Sequence, residues 1–463
     1  MVVGTVACAP GLNAGFVSDD YGFLRTAATT SLSRQLGSFM PSAATFYRPL
    51  GDLLFWVEYH LFGYHALPYH VVAFGFHIAS VILLLLLVRR LAGGWLAAVV
   101  AAYVFLTTIH LHEVIWWMAD YHYAPVTALL LGTTLAHACD RRGLAFALGS
   151  AGLFTSEPGI LVVPILALYE SIYRVDWQRR RTWIECVRRL LPLMIVTIAY
   201  VGLRVGVAGG RFHNETVPCR GVRCLATGAM DYLNRLVLRP NRLISLDTSH
   251  RTTIALLIVL AGVLLAVVLR PWAWSTWPAV LFALSWIALS SLLFIVTLWP
   301  YSSDRFLYLP DAGLAILLGV AAAQCWRLIN EGAGLHRLGP IAVLGGVAVW
   351  MALAPPMLWS RAQLWNAAGD EVRSIIESTV RTVPDPPRGT ILLFHRVPDS
   401  YAQQIPPGNT GPYVFRNDLD AAILHRYGRA DLTVLTDRRG NAVPAGSTIL
   451  QLTISDGRVR QGS

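Results

Sequence analysis

Residues 71 to 88, VVAFGFHIASVILLLLLV, carry no charged side chain. A stretch this long and apolar approaches the roughly 20 residues that cross a bilayer as a helix, and several comparable runs follow it. Only 14% of the chain is charged and 55% is hydrophobic; a soluble protein would carry about 25% charge. The fold class expected is an all-α polytopic membrane bundle.

Apolar segments are placed at 1–17, 66–88, 94–111, 122–139, 143–155, 158–174, 189–208, 251–270, 278–298, 311–328 and 339–358. That is about eleven transmembrane helices. The fifth and sixth are short enough to form a re-entrant pair. The segment 1–17 lacks a basic start and a convincing cleavage site, so it is read as a shortened first helix rather than a signal peptide. Within the connection 18–65, residues 24–38 and 50–61 show apolar spacing near 3.6 and read as interfacial amphipathic helices. The segment DYLNRLVLRPNRL is another such candidate. Beyond Pro384 the pattern changes to short β-like runs at 391–395, 432–436 and 448–454, with a helix-like stretch at 418–428. The organisation expected is a transmembrane domain over 1–359 and a small extracytoplasmic α/β tail over 360–463.

The net charge is +10, and every basic residue is Arg. These Arg residues gather in alternate short connections (89–90, 141–142, 174–189, 270, 327 with 337) rather than on one soluble face, which argues against nucleic-acid binding. Arg-rich connections belong on the cytoplasmic side. Four polar segments then share the external face: the Asp19–Asp20 loop, HLHEVIWW (110–117), TSEPG (155–159) and YSSDRF (301–306). Ionisable groups at membrane depth are costly and usually mark function. The expected location is a plasma membrane, bacterial in character, with the site and C-terminus outside. Cys219 and Cys224 share one loop and could pair in an oxidising compartment.

Asp19 and Asp20 are the leading candidates for a general base, with Asp20 placed slightly ahead. The competing account is that they cap the following helix. Arg48, beside Tyr47 in FYRPL, and Arg305 are candidate phosphate partners, since a guanidinium matches phosphate oxygens bidentately. Arg204 is a further candidate, with snorkelling to the interface as its alternative; for Arg305 the alternative is an ion pair with Asp304. Tyr47, His112, Glu113, Asp120, Glu157 and Asp304 are expected near substrate, and Glu157 is expected to need a partner. HxHE lacks the spacing of a metal site; no metal is assigned, and no spacing supports a divalent ion. Trp116 and Trp117 are expected as interface anchors, with stacking on a sugar ring as the alternative. His70 and His77, seven apart, are expected as a buried, hydrogen-bonded pair.

In order along the chain, FVSDDYGFL, YRPLGDLLFWVEYHLFGYHALPYHVVAFGFH, HEVIWWMADYHY, TSEPGILVVP and YSSDRFLYLP cover roughly residues 1 to 315. This ordered set resembles the GT-C superfamily of integral membrane glycosyltransferases, and is most similar to the family-39-like branch that includes protein O-mannosyltransferases and bacterial relatives. The resemblance implies a polyprenyl-phosphate-linked sugar donor, an inverting transfer to an extracytoplasmic hydroxyl, and a loop carboxylate that maps to Asp19 or Asp20. The chain departs from the pattern at Asp-Asp, where protein mannosyltransferases have Asp-Glu, and at Ser156, where a basic residue is usual. The acceptor, whether protein, lipid or polysaccharide, is left open. Two other readings compete. A polysaccharide polymerase or ligase would use a large late external loop. A lipid or secondary transporter would show internal repeats and ionisable groups at the midplane; none is visible here.

Overall fold

The computed structural model describes residues 2–40, 47–208, 221–238, 276–298, 303–331, 337–401, 411–429, 431–437 and 448–462. The expected helix 251–270, Cys219, and the ends of the loops around 209–220 and 301–302 lie outside these residues.

In chain order the helices are α1 (Val2–Leu12), α2 (Asp20–Thr29), α3 (Leu32–Gly37), α4 (Pro49–Phe62), α5 (Ala66–Ala92), α6 (Trp95–Leu106), α7 (His112–Ile115), α8 (Tyr123–Ala138), α9 (Arg142–Thr155), α10 (Val162–Tyr173), α11 (Arg180–Ala208), α12 (Val222–Leu233), α13 (Trp277–Leu298), α14 (Tyr308–Glu331), α15 (Leu338–Thr382) and α16 (Leu419–Tyr427). Local chemistry sets several ends. Pro49 starts α4, where its missing N–H costs nothing. Gly93 closes α5 in the left-handed conformation, with its N–H on the Arg89 carbonyl.

Five helices among the described residues are long and apolar enough to cross a membrane, or six if the bent pair 95–106 and 109–115 is one span. The chain is an integral membrane protein. Elements of 11, 16, 14 and 12 residues stand at α1, α8, α9 and α10, where further spans were expected. Each is short of a full crossing on its own. The expected continuous helix 94–111 breaks after Leu106, and the next helical piece turns by 45°. Thr107 ends the helix by donating its hydroxyl to the Tyr103 carbonyl. The chain then runs through short helical turns to His122, which lets its buried polar side chains reach partners on other elements.

The centre of the bundle is α14, buried along most of its length. It packs closely on both sides. A Cβ at Gly319 would lie 2.3 Å from the Ala97 carbonyl oxygen of α6, and Trp286 of α13 donates its indole N–H to the Leu309 carbonyl at 2.9 Å. His77 on α5 accepts from the Tyr308 hydroxyl at 2.8 Å, and the other ring nitrogen faces the Leu106 carbonyl at 3.2 Å. His70 is similarly held between the Ile115 and Ala14 carbonyls. Both histidines are thus buried and bonded.

The last apolar segment does not stop at 358. α15 continues unbroken for 45 residues, about 68 Å at 1.5 Å per residue, through Pro355–Pro356 and across the boundary drawn at 359. The helix is longer than a bilayer is thick, and its C-terminal half carries the sheet. Strands β1 (Ile391–His395), β2 (Thr433–Thr436), β3 (Ile449–Ser455) and β4 (Arg458–Gln461) form one sheet in the order β2-β1-β3-β4. β1 is parallel to β2 and β3, and β4 is antiparallel to β3. Ser374, Ser378 and Thr382 of α15 donate hydroxyl bonds to the Gly457 and Val459 carbonyls. β4 has no counterpart in the sequence reading. It follows a turn at Asp456–Gly457, both at positive φ.

Gly369 of α15 meets Gly15 backbone to backbone: a Cβ there would lie 2.4 Å from the Gly15 nitrogen. Gly369→Val should therefore destabilise the protein by about 1–3 kcal/mol, read as a lowered thermal midpoint in detergent. Gly339→Val, at a position with open space around it, is the control and should change the midpoint far less.

Candidate active site

The four polar segments singled out in the sequence come together. The two adjacent carboxylates at the start of α2 have different surroundings. Asp20 is fully buried. One oxygen accepts the Val17 N–H at 3.0 Å and the other the Ala119 N–H at 2.8 Å. Burial pushes its carboxyl well above the usual carboxylate range, against the pull of those two donors. It ties the first loop to the 118–120 turn. Asp19 is only partly buried. Its Oδ1 accepts the Asn417 side-chain amide at 2.8 Å. Burial raises the Asp19 carboxyl, the Asn417 bond opposes this, Asp120 adds to the rise, and Arg305 and Arg416 pull it down. Neither Asp makes a side-chain cap to α2.

Arg305 lies beneath this loop. Its backbone N–H donates to Glu113 at 3.0 Å, its Nη1 donates to Ser303 Oγ at 2.8 Å, and its Nε lies 3.1 Å from Asp120 Oδ2. The guanidinium stands 4.8 Å from the Trp117 ring centre and 4.7 Å from that of Phe306. The expected alternative, a pair with Asp304, is not formed. Asp304 turns away and bonds Arg235 and His112 instead. Trp365 donates its indole N–H to His112 Nδ1 at 3.0 Å. That places the imidazole proton on Nε2, pointing at Asp304 Oδ2, 2.9 Å away.

A second cation pair stands at the TSEPG turn. Arg48 Nε donates to Glu157 Oε2 at 2.6 Å, and Arg204 Nη2 lies 3.5 Å from Glu157 Oε1. Arg204 is buried, so it pairs inward and does not snorkel. Burial acts to raise the Glu157 carboxyl, but Arg48 and Arg204 outweigh it and hold the group below its usual value. Asp120 feels both clusters: burial raises it, and Arg305 and Arg48 oppose. Gly51 lets α4 press against this turn, since a Cβ there would lie 2.6 Å from the Thr155 carbonyl oxygen.

Several expected substrate contacts are engaged by protein. Glu113 is fully buried. One oxygen accepts from Ser303 and from the Arg305 N–H, and the other accepts the Gly411 N–H at 2.7 Å. His112 has both nitrogens occupied, as above. Tyr47 donates to the Phe39 carbonyl at 2.8 Å. Trp116 and Trp117 are buried and do not serve as interface anchors; Trp117 packs between Arg305 and Tyr413. Among the described residues, the polar groups of this network that keep some exposure are Asp19, Arg48, Asp120 and Glu157, with Arg416 and Asn417 of the tail beside Asp19. No group of three or more His, Cys, Asp or Glu among the described residues could hold a metal ion.

Two participants had no place in the sequence reading. Arg235, from the turn following α12, is buried in the Asp304 network. Its only sequence signal was membership of a candidate interfacial helix. Asn417 comes from the tail, nearly 400 positions from its partner, and nothing in the sequence marks it. Cys224 is disulfide-bonded.

No protein-family model matches the chain, and no curated protein matches it by sequence. Among solved structures, ArnT from Cupriavidus metallidurans in the apo state is similar at 13% identity and a TM-score of 0.51, covering 94% of this chain and 83% of that one. The same protein bound to undecaprenyl phosphate is similar at 12% identity and a TM-score of 0.51, with 94% and 84% covered. The chain shares the GT-C fold of these structures.

Asp20→Ala should leave the Val17 and Ala119 N–H groups buried without an acceptor, at about 1–3 kcal/mol each. The expected result is a clear drop in thermal midpoint in detergent. Asp20→Asn, which keeps one acceptor, should lose less.

Proposed function

We propose that the protein is a membrane glycosyltransferase that moves a sugar from a polyprenyl-phosphate donor to an acceptor hydroxyl on the extracytoplasmic side. The observation that carries this reading is a partly exposed carboxylate, Asp19, beside Arg305 at the first loop of a GT-C fold. Undecaprenyl phosphate bound to ArnT makes that lipid the first carrier to test. No observation selects a metal-dependent route.

Asp19 is the base in this reading, in preference to Asp20. Asp20 has both oxygens committed to backbone donors, so taking a proton would break bonds that hold the loop. Asp19 has one oxygen held by Asn417. An acceptor hydroxyl would attack the anomeric carbon from the face opposite the phosphate. The new C–O bond forms as the C–O bond to phosphate breaks, with inversion. The hydroxyl proton passes to Asp19, and the electron pair leaves on polyprenyl phosphate. That leaving group is already a stable anion, so charge stabilisation suffices in place of a general acid. Arg305 and Arg48 supply it. Asp120 and Glu157 hold the two guanidinium groups in position, and a cation fixed in a poorly hydrated site interacts more strongly with developing charge than one in water. Arg204 supports Glu157, Asp304 and His112 tie α14 to the 109–115 turns, and Glu113 holds the Arg305 backbone.

Purified protein in liposomes, given radiolabelled undecaprenyl-phosphate sugars and a membrane extract as acceptor source, tests the reading. Asp19→Asn should lower turnover by roughly 10²–10⁴-fold with donor affinity retained. Arg305→Ala and Arg48→Ala should weaken donor binding by about tenfold or more each. Wild-type turnover in Asp19→Asn would remove the base assignment.

A further inference from the structure

Among the described residues, the tail reaches the site through the short segment 411 to 417 (GPYVFRN). Gly411 donates its N–H to Glu113. Gly411 is required here because a Cβ would lie 2.3 Å from the Trp365 ring. Tyr413 packs against Trp117, with ring centres 4.5 Å apart and planes tilted by 53°. The Ser18 N–H donates to the Val414 carbonyl at 2.9 Å, and the Asn417 N–H returns a bond to Ser18 Oγ at 3.1 Å. The backbone of the tail is therefore locked to the residue before Asp19. From that anchored position the Asn417 Nδ2 donates to Asp19 Oδ1 at 2.8 Å. Arg416, its neighbour, has its guanidinium 5.6 Å from the Tyr413 ring centre and attracts the Asp19 charge.

We infer that Asn417 is a positioning residue for the reaction, supplied by the C-terminal region: it orients the Asp19 carboxylate and favours its ionised form. This rests on Asp19 being the base. An amide N–H stabilises only the charged carboxylate well. It also fixes which oxygen is held, leaving Oδ2 as the one to receive a proton. A simple structural tie would need only the backbone bonds at Ser18 and Val414, which are already in place without the Asn417 side chain.

The sign of the effect follows. Losing the amide donor disfavours the carboxylate, so the Asp19 carboxyl titrates at higher pH. A base works in its deprotonated form, so the acid limb of the rate profile moves to higher pH as well. Asn417→Ala removes the donor. Asn417→Asp removes it at constant size and adds a like charge, so its shift should be larger.

Two measurements on the full chain in detergent separate the possibilities. Difference infrared titration follows the Asp19 carboxyl band, assigned by its loss in Asp19→Asn, and needs no substrate. The midpoint should rise by about one pH unit in Asn417→Ala and by more in Asn417→Asp. The acid limb of transfer should move in parallel, with turnover at a fixed pH on that limb reduced roughly tenfold and donor affinity held. An Asp19 midpoint unmoved in both variants overturns the inference, whatever happens to activity or thermal midpoint. A midpoint that moves while Asp19→Asn still transfers sugar like wild type removes the base reading instead, and with it any catalytic sense of positioning.

Discussion

Glu113 is the charge on which the arrangement of the site depends. It is fully buried, and an unpaired carboxylate in such surroundings would cost several kcal/mol. The protein meets that cost with donors from two separate parts of the chain: Ser303 and the Arg305 backbone just before α14, and the Gly411 backbone from the tail. Because these donors are needed to keep the charge buried, the approach to α14 and the tail are both constrained to one position relative to the 109–115 turns. The Arg305 side chain then emerges between Trp117 and Asp120 as a consequence of where its backbone is held.

The same economy explains why polar chemistry sits on short turns and the long helices remain apolar. Straight helices present side chains along a face and can share few of them at one point. The run from Thr107 to His122 changes direction several times, so His110, His112, Glu113 and Asp120 face different partners within eleven residues. His110 bonds Asp311, His112 bonds Asp304, and Asp120 lies against Arg305. Each of these partners comes from the stretch that opens α14. Breaking the helix after Leu106 is what allows the two segments to interlock.

Division of labour between Asp19 and Asp20 has the same origin. Adjacent residues at the start of a helix point in different directions, about 100° apart. One direction leads into the protein, to two backbone N–H groups; the other leads to the tail and to the partly exposed ground beside Arg305. α15 makes this possible. It is long enough to leave the bundle and present the sheet, α16 and residues 411–417 over the first loop, where Arg25 of α2 also pairs with Asp420.

Sequence alone determined the membrane class, the position of most helices and the polar segments that gather at the site, because hydrophobic runs and the cost of buried charge are local properties. The resemblance to GT-C enzymes rested on motifs close enough in sequence to be read. Strands β1, β2 and β3 and helix α16 are also legible from local pattern. β4 is not legible although Asp456–Gly457 is a strong hairpin signal, because RVRQ has no apolar alternation to support it. Tertiary structure decided the rest. It chose Glu157 as the partner of both Arg48 and Arg204, sent Asp304 to His112 and Arg235 in place of neighbouring Arg305, and buried Trp116 and Trp117. It also committed Asp20 to backbone donors and brought Asn417 to Asp19. Ion pairs and hydrogen bonds between residues tens to hundreds of positions apart leave no periodicity in the chain; they exist only once packing has set the distances.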